Sequence, residues 1–267
     1  MIPVIILNRE NIQKIAQTPE DKLLLAKVFD KINAGIRRNV VASTGFLTPR
    51  ELQLCQYLLG DTDGLVQFGG YEDAERKMHI YLPDYLDQEF LYGDDSHIAC
   101  LRAQFYETEA PSHRDFLGAL MGSGITRESV GDICIHDGFC DLIVTAQIAP
   151  YLLQNFTSAG RTSLKVQQIP LRQLQPPVQY VTEIKDTLPS LRLDCVISAG
   201  FRMGRAAAAQ SIEAGKVTID GLPCEKTDKT VPEGAKISLR GAGKIRLVSA
   251  SGLTKKNRIP VIIHRYM

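Results

Sequence analysis

The chain has 267 residues, 44% hydrophobic and 23% charged, with a formal net charge of +1, a balance that fits one large or two to three small globular domains and excludes a disordered polyelectrolyte. No apolar run approaches the ~20 residues needed to cross a bilayer, and Met1–Leu7 lacks the basic leader and cleavage site of a secretory signal, so neither a membrane partner nor export is expected. Six cysteines (Cys55, Cys100, Cys134, Cys140, Cys195, Cys224) without a Cys-x-x-Cys pair read as reduced, buried thiols of a cytoplasmic protein.

In chain order, Thr18-Pro19-Glu20-Asp21 supplies a capping residue, a proline suited to a first helical turn and two acids at the positive helix end. Leu23, Leu24, Val28, Phe29 and Ile32 continue it as a helical stripe. Thr48-Pro49-Arg50-Glu51 is a capping box whose helix should run to Leu59 and stop at Gly60. Leu65–Phe68 reads as a strand turned by Gly69-Gly70. These elements predict a mostly helical N-terminal domain over residues 1–76.

Residues 77–173 alternate differently. His97–Tyr106 is strand-like, and Ser112 and Asp115 cap an apolar helix ending around Gly122–Gly124. Gly131–Ile135 and Phe139–Thr145 flank Asp137-Gly138, a two-residue hairpin signal. Ile148–Phe156 reads as helix and Thr162–Ile169 as a last strand. The order β-α-β-β-α-β is the ferredoxin-like one that RNA-recognition modules share, although topology by itself does not establish RNA binding. Residues 139–144 lack the aromatic, basic and Gly-rich signature of an RNA-recognition strand. Phe105, Tyr106 and Phe139 could stack bases, with packing the favoured reading. Residues 174–189, with Pro176-Pro177 and little apolar periodicity, read as a linker.

The last segment, 190–267, is where charge collects. From Asp186 onward there are 14 Lys+Arg against 7 Asp+Glu, leaving 17 against 23 in the remainder. A basic tail domain on an acidic body suggests a polyanion partner for the tail, beside the plainer reading of a solvated surface. Residues 190–197 open a short helix broken at Gly200, and 204–212 form an Ala-rich helix closed by Gly215. Val217–Ile219 continues as a strand, with turns at Asp220-Gly221 and Glu233-Gly234. Arg205 falls in a first helical turn, where free N–H groups and the helix dipole favour phosphate. Arg192 and Lys216 join it on what reads as one face.

The run Arg192-Leu-Asp, Gly204-Arg205, Gly215-Lys216-Val217-Thr218-Ile219-Asp220-Gly221 and Glu233-Gly234-Ala235-Lys236 resembles the RNA-binding domain named after ribosomal small-subunit protein S-four. Phe68-Gly-Gly-Tyr71, Glu75-Arg76, Ser112-His-Arg-Asp115, Gly131-Asp-Ile133, Arg240-Gly-Ala-Gly-Lys244 and Thr254-Lys-Lys-Asn-Arg258 extend the resemblance, over nearly the whole chain, to the bacterial YlmH family. The resemblance implies an α+β protein: a helical N-terminal domain, a ferredoxin-like central α/β domain and a C-terminal S-four-like RNA-binding domain. It implies a cytoplasmic, ribosome-associated, non-enzymatic RNA-binding factor for ribosomal RNA, with tRNA as a further partner. The large subunit and the rescue of stalled ribosomes are its expected setting, and no DNA partner is expected. RNA contacts are expected from Arg192, Arg202, Arg205 and Lys216, and also from Arg240, Lys244, Lys255, Lys256 and Arg258. His113 and Arg114, exposed at a helix start, read equally as phosphate ligands or as part of a cap. Departures from the domain's pattern are Gly204 in place of a capping Ser, and Ala206 and Ala207 where polar or basic residues are common. They shift the expected contacts toward 240–258.

Other chemistry fits less well. Arg192-Leu-Asp194 with Ser198-Ala-Gly200 is similar to the catalytic Asp motif of pseudouridine synthases, the alternative reading, but only about 70 residues follow it, too few for a catalytic domain of that class. His113-Arg114-Asp115 lacks the asparagine and the Gly-rich loop of a kinase. Cys134, His136 and Cys140 do not make four zinc ligands, and residues 241–244 lack nucleotide-loop spacing. Neither metal nor cofactor is expected.

Overall fold

The computed structural model of the protein describes residues 9–106, 110–178, 180–254 and 256–266. It is α+β and divides into two compact units, Met1–Pro177 and Val178–Met267.

The first unit opens with α1 (Asn11–Ile15), α2 (Pro19–Arg38) and β1 (Ala42–Ser43), followed by α3 (Pro49–Leu59), β2 (Leu65–Phe68) and β3 (Met78–Tyr81). Reciprocal capping boxes start both longer helices, Thr18 with Asp21 and Thr48 with Glu51. Asp21 also takes both guanidinium nitrogens of Arg50 at 2.7 Å, joining the two helix starts. The hydrogen bond from Arg50 outweighs burial and holds the Asp21 carboxyl at about 2. The buried stripe of α2 is Leu25, Val28, Phe29 and Ile32, whereas Leu23 is exposed. The stripe is therefore set by Leu25 and not by the Leu23 that the sequence reading included.

The N-terminal layer combines three helices with a small sheet, whose third strand lies beyond the expected boundary at residue 76. β3 is the middle strand of an antiparallel sheet ordered β1-β3-β2. Beyond it lie β4 (Ile98–Gln104), α4 (His113–Gly122), β5 (Val130–His136), β6 (Phe139–Thr145) and α5 (Ala149–Asn155). A small hairpin, β7 (Ser158–Ala159) with β8 (Thr162–Ser163), precedes β9 (Lys165–Ile169), so the single strand expected over 162–169 is split. The larger sheet runs β5-β6-β4-β9, all antiparallel, the strand order of a β-α-β-β-α-β unit.

Both faces of this sheet are apolar. Ala99, Leu101 and Ala103 of β4 meet Phe116 and Leu120 of α4 and Leu152 of α5. The alternate residues, Ile98 and Cys100, pack with Cys134 and Ile143 against Phe46, Phe68, Met78 and Ile80 of the N-terminal layer. Polar contacts lock this junction. Asp132 accepts the Tyr71 hydroxyl (2.8 Å) and the N–H groups of Glu75 (2.7 Å) and Arg76 (3.0 Å). The buried Arg76 guanidinium donates to the carbonyls of Phe46, Arg127 and Val130. Gly131 is required by proximity, since a Cβ there would lie 2.8 Å from the Phe46 ring.

In the second unit, β10 (Val181–Leu188) is followed by α6 (Leu193–Phe201), α7 (Arg205–Glu213), β11 (Val217–Ile219), β12 (Leu222–Pro223), β13 (Lys236–Leu239), β14 (Gly243–Ala250) and β15 (Ile259–Tyr266). The sheet order is β10-β15-β14-β13-β11-β12. The two units divide within the expected linker over 174–189, whose second half is strand β10, paired with β15 from Val181↔Tyr266 to Leu188↔Ile259. Only Ile184 and Leu188 of β10 are buried, so an edge strand carries too few apolar residues to show a period. Leu193, Val196, Ile197, Ala208 and Ile212 of the two helices pack on Val217, Ile237, Ile245, Leu247 and Ile263 of the sheet.

His79 on β3 is fully buried, its Nδ1 has no partner among the described residues, and its Nε2 lies 3.4 Å from the Leu52 carbonyl. Burial pushes its pKa down to about 4. Unfolded, it would titrate near the ordinary histidine value of about 6.5, so the neutral ring contributes stability above that pH, lost as pH falls toward 4. The full difference is about 3 kcal/mol. Urea unfolding from about pH 7.5 to pH 5, above the carboxylate range, should show a declining midpoint that His79→Leu flattens. Parallel decline in both proteins would assign the slope elsewhere.

Candidate nucleic-acid interface

The cations of the second unit are placed by its two helices and by the strand ends beside them. Arg192 is the N-cap residue of α6, and Arg205 is the first residue of α7. Between them lies Asp194, 4% exposed, whose Oδ1 accepts from Arg192 Nε at 3.3 Å and Oδ2 from Arg205 Nε at 2.9 Å. Burial works to raise the Asp194 pKa, but hydrogen bonds from Arg205, Arg192 and Cys195 prevail and hold it below the usual carboxylate range. The carboxylate therefore stays charged at neutral pH. It fixes Arg205 through Nε, leaving the two terminal nitrogens of that guanidinium for a ligand.

Arg202 closes α6 in the left-handed region, φ +53° and ψ +47°. A residue with a Cβ costs roughly 1 kcal/mol there, where glycine would cost little. Its side chain pairs with none of the described residues and lines a cleft of about 320 Å3 with Arg205, Arg258, Asp186, Ser198 and Met203. Arg258 is partly spoken for, because its Nε donates to the carbonyl (3.0 Å) and hydroxyl (3.1 Å) of Thr187 and its Nη2 to the same carbonyl. It thereby ties β15 to β10 while edging the cleft. Gly204, the N-cap residue of α7, provides no side-chain cap, so the first N–H groups of α7 lack a capping oxygen.

The structure thus brings Arg202, Arg205 and Arg258 to one cleft and links Arg192 to it through Asp194. Lys216 stands apart. It follows Gly215 beyond the far end of α7, eleven residues from Arg205 in sequence, or about 16 Å at helical rise. Its carbonyl accepts the Arg240 N–H at 2.9 Å, so these two exposed cations form a second basic point. Lys244 is exposed on β14 opposite Ser238, and Lys256 is exposed in the loop before β15. Lys255 lies outside the described residues. The sequence reading missed Asp186, Ser198 and Met203, since Asp186 fell within the supposed linker and the other two have ordinary intra-helix and turn identities.

In the first unit, His113 and Arg114 sit exposed in the first turn of α4, beside a complete Ser112–Asp115 capping box. Hydrogen bonds from Ser112 lower the Asp115 pKa. Of the three aromatic candidates, Phe105 is buried against Phe116. Phe139 is stacked by His136 at 4.8 Å and covered by Arg102 at 4.3 Å, itself held bidentately by Asp141. Tyr106 alone is open, 83% exposed. Cys140 belongs to the helix-side core, Cys134 to the opposite one, and His136 bonds the Gln175 carbonyl. The three do not converge, and burial pushes the Cys134 thiol up to about 12 and that of Cys140 up as well. No helix among the described residues is long and apolar enough to cross a membrane.

Replacing Arg202 with glycine separates stability from binding. Arg202→Gly should leave the urea midpoint equal or slightly higher, within about 1 kcal/mol, while weakening polyanion binding in a filter assay with heparin or total RNA. A variant that unfolds more easily and binds as before would make Arg202 a structural residue.

A family model described as "Putative RNA-binding domain in YlmH" matches residues 103–173. The Bacillus subtilis (strain 168) protein named "Ribosome-associated protein quality control protein P2" is 34% identical over 224 residues, covering 83% of this chain and 86% of the relative. A solved structure, "Cell division protein ylmH from Streptococcus pneumoniae", is similar with a TM-score of 0.48 and 19% identity, covering 60% of this chain and 98% of that one. With that extent of identity to the B. subtilis protein, the chain belongs to the YlmH family.

Proposed function

We propose that this protein is a non-enzymatic, cytoplasmic RNA-binding factor that works on the ribosome. It holds phosphates of folded ribosomal RNA on the large subunit during rescue of stalled translation, with tRNA as a further contact. The observation that carries the reading is the second unit's cleft, where Arg202, Arg205 and Arg258 converge beside the uncapped start of α7. A second basic point, Lys216 with Arg240, stands about 16 Å away along the helix, too far to serve the same phosphate. Two separated cationic points fit a folded RNA better than a small anion. The family model's description supports RNA binding, and the name of the B. subtilis relative supports the ribosome as the setting. Asp194 supports a non-enzymatic role, because both of its oxygens are engaged by arginines inside the fold.

Phosphate contacts release counterions, so affinity should fall steeply with salt. For about four phosphates, binding to purified large subunits should weaken roughly a hundredfold between about 50 and 200 mM monovalent salt. Arg205→Ala with Lys216→Ala should remove the protein from the large-subunit fractions of a sedimentation gradient. Salt-independent binding, or retention of the double variant, would place the interface elsewhere. New modified nucleosides after incubation with total RNA, lost in Asp194→Ala, would establish the pseudouridine-synthase alternative.

A further inference from the structure

The cleft is more than a phosphate site. Its polar wall is Arg202, Arg205 and Arg258, but the rest of the lining includes Leu188, Pro189 and Met203, with Asp186 at the rim. A phosphate gains nothing from apolar walls, and a carboxylate beside it is repulsive. The lining instead matches a ligand with three parts: an anion, a flat apolar body and a hydrogen-bond donor. At about 320 Å3 the cleft is at the small end of ligand sites, with room for one nucleotide and none for a duplex.

We propose that this cleft receives a single extruded nucleotide of the bound RNA, its phosphate on Arg202 and Arg205 and its base, one with an exocyclic amino group, reading Asp186. The inference rests on the RNA-binding reading above and names what the cleft selects. Arg205 is held by Asp194 through Nε only, and the α7 start offers uncapped N–H groups, so the phosphate end is prepared before binding. Leu188, Pro189 and Met203 give the ring an apolar bed. Asp186 accepts the Thr187 N–H at 2.6 Å through Oδ1, and its other oxygen remains for a donor. Guanine presents N1–H and its 2-amino group side by side, adenine and cytosine present an amino group, and uracil presents only an N3–H between two carbonyls that repel a carboxylate. A base paired in a helix hides that edge, so the ligand is an unpaired nucleotide, for which extrusion costs least.

The test uses the full chain and three RNA hairpins of equal stem length, measured by fluorescence anisotropy at about 150 mM salt. One hairpin has a continuous stem, one a single bulged guanosine and one a single bulged uridine. The bulged guanosine should bind about tenfold tighter than the continuous stem, with the bulged uridine clearly weaker than the guanosine. Asp186→Asn should bring the two bulges to equal affinity. Equal binding of all three hairpins would reduce the cleft to a phosphate site, and a guanosine preference that survives Asp186→Asn would remove Asp186 as the reader. If the continuous stem binds but ignores Arg205→Ala with Lys216→Ala, the RNA-binding assignment of the cleft fails, and this inference falls with it.

Discussion

The structure of the first unit depends on a sheet that must be covered twice. Successive residues of a strand point to opposite faces, and in β4 both sets are apolar, Ile98 and Cys100 on one side, Ala99, Leu101 and Ala103 on the other. Helices α4 and α5 cover one face, and the N-terminal layer, with Leu91, Leu171 and Leu174, covers the other. Such a junction buries backbone polar groups, and these need partners. Asp132 satisfies three donors of the 71–76 turn, and Arg76 satisfies three carbonyls around Phe46 and Val130. The runs 68–76 and 131–133, distant in sequence, are therefore the two halves of one clamp. Open RNA-recognition sheets stack bases on the face lying opposite their helices. Here the chain itself occupies most of that face, and at its margin Phe139 is engaged by Arg102 and His136.

This closure also explains why the sequence divides differently from the fold. Local signals were legible: Thr18 with Asp21, Thr48 with Glu51 and Ser112 with Asp115 all form capping boxes. Asp137-Gly138 makes its hairpin, with Gly138 at φ +80°. Those signals concern residues within a few positions of each other. A domain boundary is a statement about long-range packing, and no spacing in 65–81 says that Phe68 and Met78 will meet Ile143. Strand β10 was hidden for a related reason. At a sheet edge one face is solvent, so Thr182, Glu183, Lys185 and Asp186 carry the polarity of a linker while Ile184 and Leu188 alone anchor the strand. The cations themselves were readable one by one. Their grouping was not, because the cleft is assembled from β10, helix α6, the turn into α7 and Arg258 just before β15.

The second unit accepts local costs to place its charges. Arg202 holds a backbone conformation suited to glycine, and Gly204 takes a capping position where Ser or Asp would be better by a few tenths of a kcal/mol. The substitution of glycine for a capping side chain looks like a loss for helix α7. Yet a capping oxygen would occupy the same N–H groups that a phosphate needs. Asp194 acts in the other direction. Buried between α6 and α7, it ties the two helix starts together and holds Arg205 in place, so less side-chain freedom is lost when a ligand arrives.

Segregation of charge completes this logic. The whole chain carries +1, yet Val178–Met267 holds 15 Lys+Arg against 8 Asp+Glu, and the first 177 residues hold 16 against 22. At physiological salt, charges separated by more than ~8 Å are largely screened, so a polyanion responds to the unit nearest it and not to the total. The basic unit, at +7, attracts a phosphate backbone at long range. The family model's match, residues 103–173, falls in the unit that carries −6. Net charge therefore steers an encounter without marking which surface makes the contact. That is decided by local groups, the arginines of the cleft in one unit and exposed cations such as Arg114 at the start of α4 in the other.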